Sequence, residues 1–168
     1  MTATDTADLH HVQAIISLGA NLGDARSALN AATAALGELP HTRVLQSSSH
    51  YRTAPVEASG PDYINSVAII ETALDPQELL LSLQTIEFQH GRDRPYPNAP
   101  RTLDLDLLLY GDQEIDLPQL QVPHPRGHLR AFVLAPLQEL MPDGLWPGHG
   151  RLEDLLPGLS DQRVDRLA

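Results

Sequence analysis

With 168 residues, no cysteine, and 22 acidic against 11 basic side chains, the chain is sized for one domain and carries a formal charge of -11. That balance argues against a general nucleic-acid binder, which must neutralise phosphates with Lys and Arg, and the missing cysteine excludes disulfides and thiolate metal sites. No stretch approaches the roughly 20 apolar residues that a bilayer span requires.

Met1 to His11 is polar and acidic with no apolar h-region, so residues 1–11 are expected to be a disordered tail and no secretory signal, which points to the cytoplasm. A single domain over 12–168 follows. Val12 to Leu18 is a short apolar run ending at Gly19, a buried strand. Gly19 to Asp24 reads as a turn, with Asp24 placed to cap a helix over 25–37 that Gly37 and Pro40 close. Arg43 to Thr53 alternates weakly and predicts a strand running into a loop, Ala54 to Asp62. Tyr63 to Leu74 is the next strand, rich in β-branched residues. Asp75-Pro76 then opens a helix to about His90, with Leu79, Leu80, Leu83 and Ile86 on its apolar face.

Residues 91–100 read as a loop leading into the most telling strand, Arg101 to Tyr110. Alternation puts Asp104 and Asp106 on one face, about 6.6 Å apart along the backbone, with Leu103, Leu105, Leu107 and Leu109 on the other. Like charges held that close on an apolar strand need a cation between them, and Mg²⁺ and Arg101 are the candidates. Gln113 to Gln121 suggests a hairpin, which Pro123-His124-Pro125 breaks. Leu129 to Leu140 has helical spacing with Pro136 as a kink or a delay, and Leu152 to Leu156 offers one more short helix. The order βαββαβ is that of an α+β, ferredoxin-like sandwich with an added C-terminal helical segment.

All 11 basic residues are arginine, and Arg92, Arg94, Arg101, Arg126 and Arg130 fall between 92 and 130. An acidic chain that gathers forked donors in one region suits a small phosphate or carboxylate ligand. The absence of lysine removes the P-loop family.

Five motifs in order then resemble one family: Leu18-Gly19-Ala20-Asn21-Leu22-Gly23, Tyr51-Arg52-Thr53-Ala54-Pro55, Pro61-Asp62-Tyr63-Ile64-Asn65, Pro100-Arg101-Thr102-Leu103-Asp104-Leu105-Asp106, and Val122-Pro123-His124-Pro125 followed by Arg130-Ala131-Phe132. From about Ile15 to Leu140 the chain resembles the 6-hydroxymethyl-7,8-dihydropterin pyrophosphokinases of folate biosynthesis. The resemblance implies that the pterin hydroxymethyl oxygen attacks the β-phosphorus of ATP and that AMP leaves. It implies two Mg²⁺ ions on Asp104 and Asp106, and Arg92 and Arg101 as catalytic charge stabilisers. Glu87, Arg92, Arg94, Arg101, His124 and Arg130 would hold ATP. Tyr63 and Phe132 would stack the pterin, with Asn65 and Thr53 on its hydrogen-bonding edge. A monomer acting on these two small molecules, with no nucleic-acid or membrane partner, is expected. Arg126 is read either as a solvated charge or as an ATP contact. Many relatives carry Trp-Gly where this chain has Asn98-Ala99, and some carry an aromatic at Pro125. The loops 54–62 and 91–100 are expected to close over ATP. Two rivals share the Asp-x-Asp pattern or the fold: a metal-dependent glycosyltransferase, and a non-catalytic module that senses small ligands.

Overall fold

The computed structural model describes residues 9–21, 23–54, 61–90 and 103–167. In chain order these form β1 (Val12–Ala20), α1 (Ala25–Gly37), β2 (Thr42–Ser47), β3 (Tyr51–Thr53), β4 (Tyr63–Thr72), α2 (Pro76–His90), β5 (Asp104–Tyr110), β6 (Ile115–Leu117) and β7 (Leu120–Val122). A 3₁₀ turn (Gly127–Leu129), α3 (Ala131–Leu140), β8 (Leu145–Trp146), β9 (Gly150–Arg151), α4 (Leu152–Leu155) and β10 (Val164–Arg166) complete the chain.

The main sheet is antiparallel, in the order β10-β3-β4-β1-β5, with β2 beside β3 on the same edge of β4. Helices α1 and α2 start where the sequence signals them. Asp24 accepts the Ser27 N–H at 3.1 Å and the Ser27 hydroxyl at 2.8 Å. At α2, Asp75 accepts the Glu78 N–H at 2.8 Å while Glu78 accepts the Asp75 N–H at 2.9 Å, a reciprocal pair that satisfies two otherwise orphaned donors.

Each face of the sheet has its own core. On one, Ile16, Leu18, Ile70, Leu105 and Leu107 pack under Leu29 and Leu36 of α1 and Leu79, Leu83 and Ile86 of α2. On the other, Ile15, Val67, Ile69, Leu108 and Leu109 pack under Val133, Leu134 and Leu137 of α3, with Trp146 and Leu152 behind them.

Three local readings are corrected. The expectation that Leu109 shares a face with Leu103, Leu105 and Leu107 fails, because the β1–β5 register jumps from Ile15↔Leu109 to Ile16↔Leu107. The extra residue of that bulge turns both Leu108 and Leu109 toward the second core. The single strand expected over 43–53 is split. Ser48 interrupts it, its N–H donating to the Val67 carbonyl and its hydroxyl accepting the Val67 N–H, both at 2.9 Å. Gly19 and Ala20, read as part of a turn, belong to β1. Pro136 lies inside α3, which starts at Ala131 because Gly127–Leu129 is wound as 3₁₀.

The split edge is tied to α3 through Glu139. Its carboxylate accepts the Tyr51 hydroxyl at 2.6 Å and the Ser49 N–H at 3.1 Å, with the Arg166 guanidinium 3.5 Å away. Burial opposes that charge, but the bonds from Tyr51 and Ser49 and the Arg166 charge together hold the Glu139 carboxyl below its ordinary value of 4.5. A depressed folded value contributes stability above the unfolded value that disappears as pH falls through the folded one. The melting temperature is therefore expected to drop as pH falls below about 4.5. Glu139→Gln should flatten that drop and cost about 1–3 kcal/mol at neutral pH, both readable in a pH series of thermal melts.

Candidate active site

Along each strand of the second face, the period of two carries the chain from core to cleft. On β4 the apolar Ile69 and Val67 give way to Asn65 and Tyr63, on β1 Ile15 gives way to Ser17 and Gly19, and on β5 Leu108 gives way to Asp106 and Asp104. Register aligns these ends. Gly19 lies opposite both Asn65 and Asp104, and Ser17 opposite Asp106. The N-terminus of α3 overhangs them, and the cleft between, of about 450 Å³, is walled by Thr53, Tyr63, Asn65, Glu87, Asp104, Asp106, Arg130 and Phe132, among others.

One half of this cleft has a neutral hydrogen-bonding edge between aromatic walls. Asn65 and Thr53 are both buried, and the Asn65 amide nitrogen donates to the Thr53 hydroxyl at 2.7 Å. Gly19 makes room for that amide: a Cβ there would lie 2.7 Å from Asn65 Oδ1. Tyr63 and Phe132 supply the rings, with the Arg130 guanidinium 5.5 Å from the Phe132 centroid.

The other half is ionic. Asp104 and Asp106 face the cleft from β5, an edge strand whose outward N–H groups need a partner. Glu87, buried on α2, provides one by accepting the Leu105 N–H at 2.9 Å, fixing the backbone between the two aspartates. Among the described residues no cluster of three or more acidic or histidine side chains forms a metal cage. Two carboxylates on one face nonetheless fit Mg²⁺, which usually takes one or two protein carboxylates and fills its shell with water and phosphate oxygens.

His124 does not wall the cleft, but it stands close enough to Asp106, Arg130 and Arg126 for their charges to act on it. Burial lowers its proton affinity, the Asp106 charge opposes that, and the two arginines add to it. Its Nδ1 accepts the Arg126 N–H at 3.1 Å, so the neutral ring carries its proton on Nε2 and can donate it.

The structure thus gathers Thr53, Tyr63, Asn65, Glu87, Asp104, Asp106, Arg130 and Phe132 around one cleft and sets His124 beside it. Arg92, Arg94 and Arg101, the loop over 91–100 and most of the loop over 54–62 lie outside the described residues. Arg126 does reach the cleft wall. Ser17 and Gln162, given no role from the sequence, and Gly19, read there as part of a turn and of a motif, also line it. For Ser17 and Gly19 the signal was available, since antiparallel pairing with β5 places them opposite the aspartates. For Gln162 there was none.

The model of the 7,8-dihydro-6-hydroxymethylpterin-pyrophosphokinase (HPPK) family matches residues 15–142. The chain belongs to the HPPK family. It is 43% identical over 153 residues to the 2-amino-4-hydroxy-6-hydroxymethyldihydropteridine pyrophosphokinase of Pseudomonas aeruginosa, covering 90% of this chain and 94% of that one. The enzyme of the same name from Haemophilus influenzae is 40% identical over 157 residues, covering 93% and 98%. Among solved structures, a Plasmodium falciparum HPPK-DHPS chain superposes with a TM-score of 0.70 at 13% identity, covering 94% of this chain. This chain spans 46% of that one, so the likeness extends the HPPK assignment to the fold alone. No helix among the described residues of this HPPK family member is long and apolar enough to cross a membrane.

Proposed function

We propose that this chain transfers a pyrophosphoryl group from ATP to the hydroxymethyl oxygen of 6-hydroxymethyl-7,8-dihydropterin and releases AMP, a step of folate biosynthesis. The observation that carries the reading is the floor of the cleft, where Asn65 and Asp104 flank Gly19 in one row of paired strands. A neutral bicyclic ring fits between Tyr63 and Phe132 with its amide edge on Asn65 and Thr53. Two strand spacings, about 9–10 Å, separate that edge from the carboxylate strand, which leaves space for a hydroxymethyl group and a phosphate between them.

The transfer needs alignment and charge neutralisation more than covalent help. The hydroxymethyl oxygen forms a bond to the β-phosphorus, the bond from that phosphorus to the α,β-bridging oxygen breaks, and the hydroxyl proton leaves to solvent. Asp104 and Asp106 would hold two Mg²⁺ ions, which supply positive charge to the triphosphate oxygens. Glu87 keeps the strand between those carboxylates in place. Arg130 and the Nε2–H of His124 bind phosphate from the α3 side. Arg92 and Arg101 stabilise charge on the transferred group and Arg94 holds ATP, a reading supported by the Pro100 to Asp106 run and the arginine concentration around it.

The strand order, with the two βαβ halves interleaved in an antiparallel sheet, supports a ferredoxin-like arrangement to which β10 and the C-terminal helical segment are added. Residues 12–168 form one pyrophosphokinase domain in this reading, acting as a monomer on two small-molecule substrates. Phosphorus NMR of a mixture of protein, Mg²⁺, ATP and the hydroxymethylpterin should show AMP and a pyrophosphorylated alcohol appearing together. ADP in place of AMP, or no turnover, would overturn the proposal.

A further inference from the structure

The helix that overhangs the cleft is capped from elsewhere in the chain. At the N-cap of α3 stands Arg130, whose side chain makes no capping hydrogen bond and lies against the Phe132 ring. Short polar residues ordinarily fill that position because their oxygen reaches an orphaned first-turn amide. Here Gln162 does so from 31 residues further on, its Oε1 accepting the Ala131 N–H at 2.8 Å. Its Nε2 donates to the Leu129 carbonyl at 2.9 Å. One carboxamide therefore grips the backbone on both sides of Arg130, immediately before Phe132.

Gln162 is itself held. Its N–H donates to the Leu159 carbonyl at 2.9 Å, and two residues later β10 is registered on β3 with Val164 opposite Thr53. A second cavity, of about 250 Å³, lies between Thr53, Phe132 and Gln162, so close packing alone does not fix the Phe132 ring on that side. This segment also lies beyond residues 15–142, where the family model matches.

We infer that Gln162 is a positioning residue for the pterin half of the cleft. By capping α3, which the donor-only guanidinium of Arg130 cannot do, it sets the backbone from which Phe132 presents its ring. The inference rests on the proposed function for the identity of the ring, and it adds a determinant from the C-terminal segment.

The test compares Gln162→Met, which keeps length and loses both hydrogen bonds, with Gln162→Glu, which keeps the acceptor for Ala131 and loses the donor for Leu129. The Kd of 6-hydroxymethyl-7,8-dihydropterin is measured by equilibrium titration with Mg²⁺ and a nonhydrolysable ATP analogue present, alongside the KM, kcat and melting temperature. Gln162→Met should raise the pterin Kd and KM about three- to tenfold, the worth of one or two hydrogen bonds, with kcat within about twofold. Gln162→Glu should fall between that variant and the wild type. Unchanged pterin affinity in Gln162→Met overturns the inference, as does a loss confined to kcat or to the melting temperature. Because the Kd series does not depend on turnover, it reads Gln162 even if no AMP is formed. A wild-type protein that does not bind the pterin defeats both readings.

Discussion

Replacing Asp106 by alanine is expected to abolish pyrophosphoryl transfer while the protein still folds. Its carboxylate faces the cleft from an edge strand and takes part in no hydrogen bond among the described residues, so the substitution removes no bond that the fold uses. Asp104 stands two residues away on the same face, and separating two like charges of this kind relieves repulsion in the metal-free protein. The melting temperature should therefore stay level or rise. Turnover should fall by about 10³-fold or more, because the metal-mediated charge stabilisation proposed for it would be worth several kcal/mol and each 1.4 kcal/mol is a factor of ten. Steady-state rates over a Mg²⁺ titration, paired with thermal melts, check both parts. A variant that keeps its rate and its Mg²⁺ dependence would show that Asp106 holds no catalytic ion, and one that loses cooperative melting would mark it as a structural residue.

Strands β1, β4 and β5 and the helices α1 and α2 were legible because each is announced locally. Asp24 and Asp75 sit where caps belong, Gly37 closes α1, and the apolar spacing matches the period of each element. The aspartate pair was legible for the same reason, since alternation over seven residues fixes a face. What the sequence hid depends on contacts between distant segments. The β5 bulge that carries Leu109 across to the second face exists because Leu108 and Leu109 both find space under α3, which no window around residue 108 reveals. Ser48 breaks the expected strand by substituting its hydroxyl for a ladder partner, and Glu139, about 90 residues on, takes the Ser49 amide. The region after residue 141 gave the least. Trp146 is buried against Gly127, where a Cβ would come within 2.3 Å of the indole ring, and so buttresses the segment bearing His124, Arg126 and Arg130. Its value lies wholly in that long-range contact. Gln162 is a polar residue in a polar stretch until the fold places it against α3.

Gly19→Ala is expected to separate pterin binding from nucleotide binding. Gly19 lies within β1 and is not among the glycines with positive φ, so alanine suits its backbone. The difficulty lies in the space above it. The new Cβ would stand 2.7 Å from Asn65 Oδ1, well inside van der Waals contact, and the short Asn65 side chain can yield only by rotating its amide. That rotation breaks the 2.7 Å bond to Thr53 and turns the recognition edge away from the ring it is proposed to bind. Losing the hydrogen bonds that the Asn65 amide is proposed to make to the ring costs about 1–3 kcal/mol, so the pterin KM should rise about tenfold to a hundredfold. Nucleotide affinity should hold near the wild-type value, because the Asp104 and Asp106 carboxylates keep their places on the neighbouring strand. A double-mutant cycle makes the mechanism specific. If the methyl acts through the amide, adding Gly19→Ala to Asn65→Ala should cost little beyond Asn65→Ala alone. Full additivity in that cycle would instead place the damage on the floor of the cleft itself, where the hydroxymethyl group and the phosphate are proposed to meet.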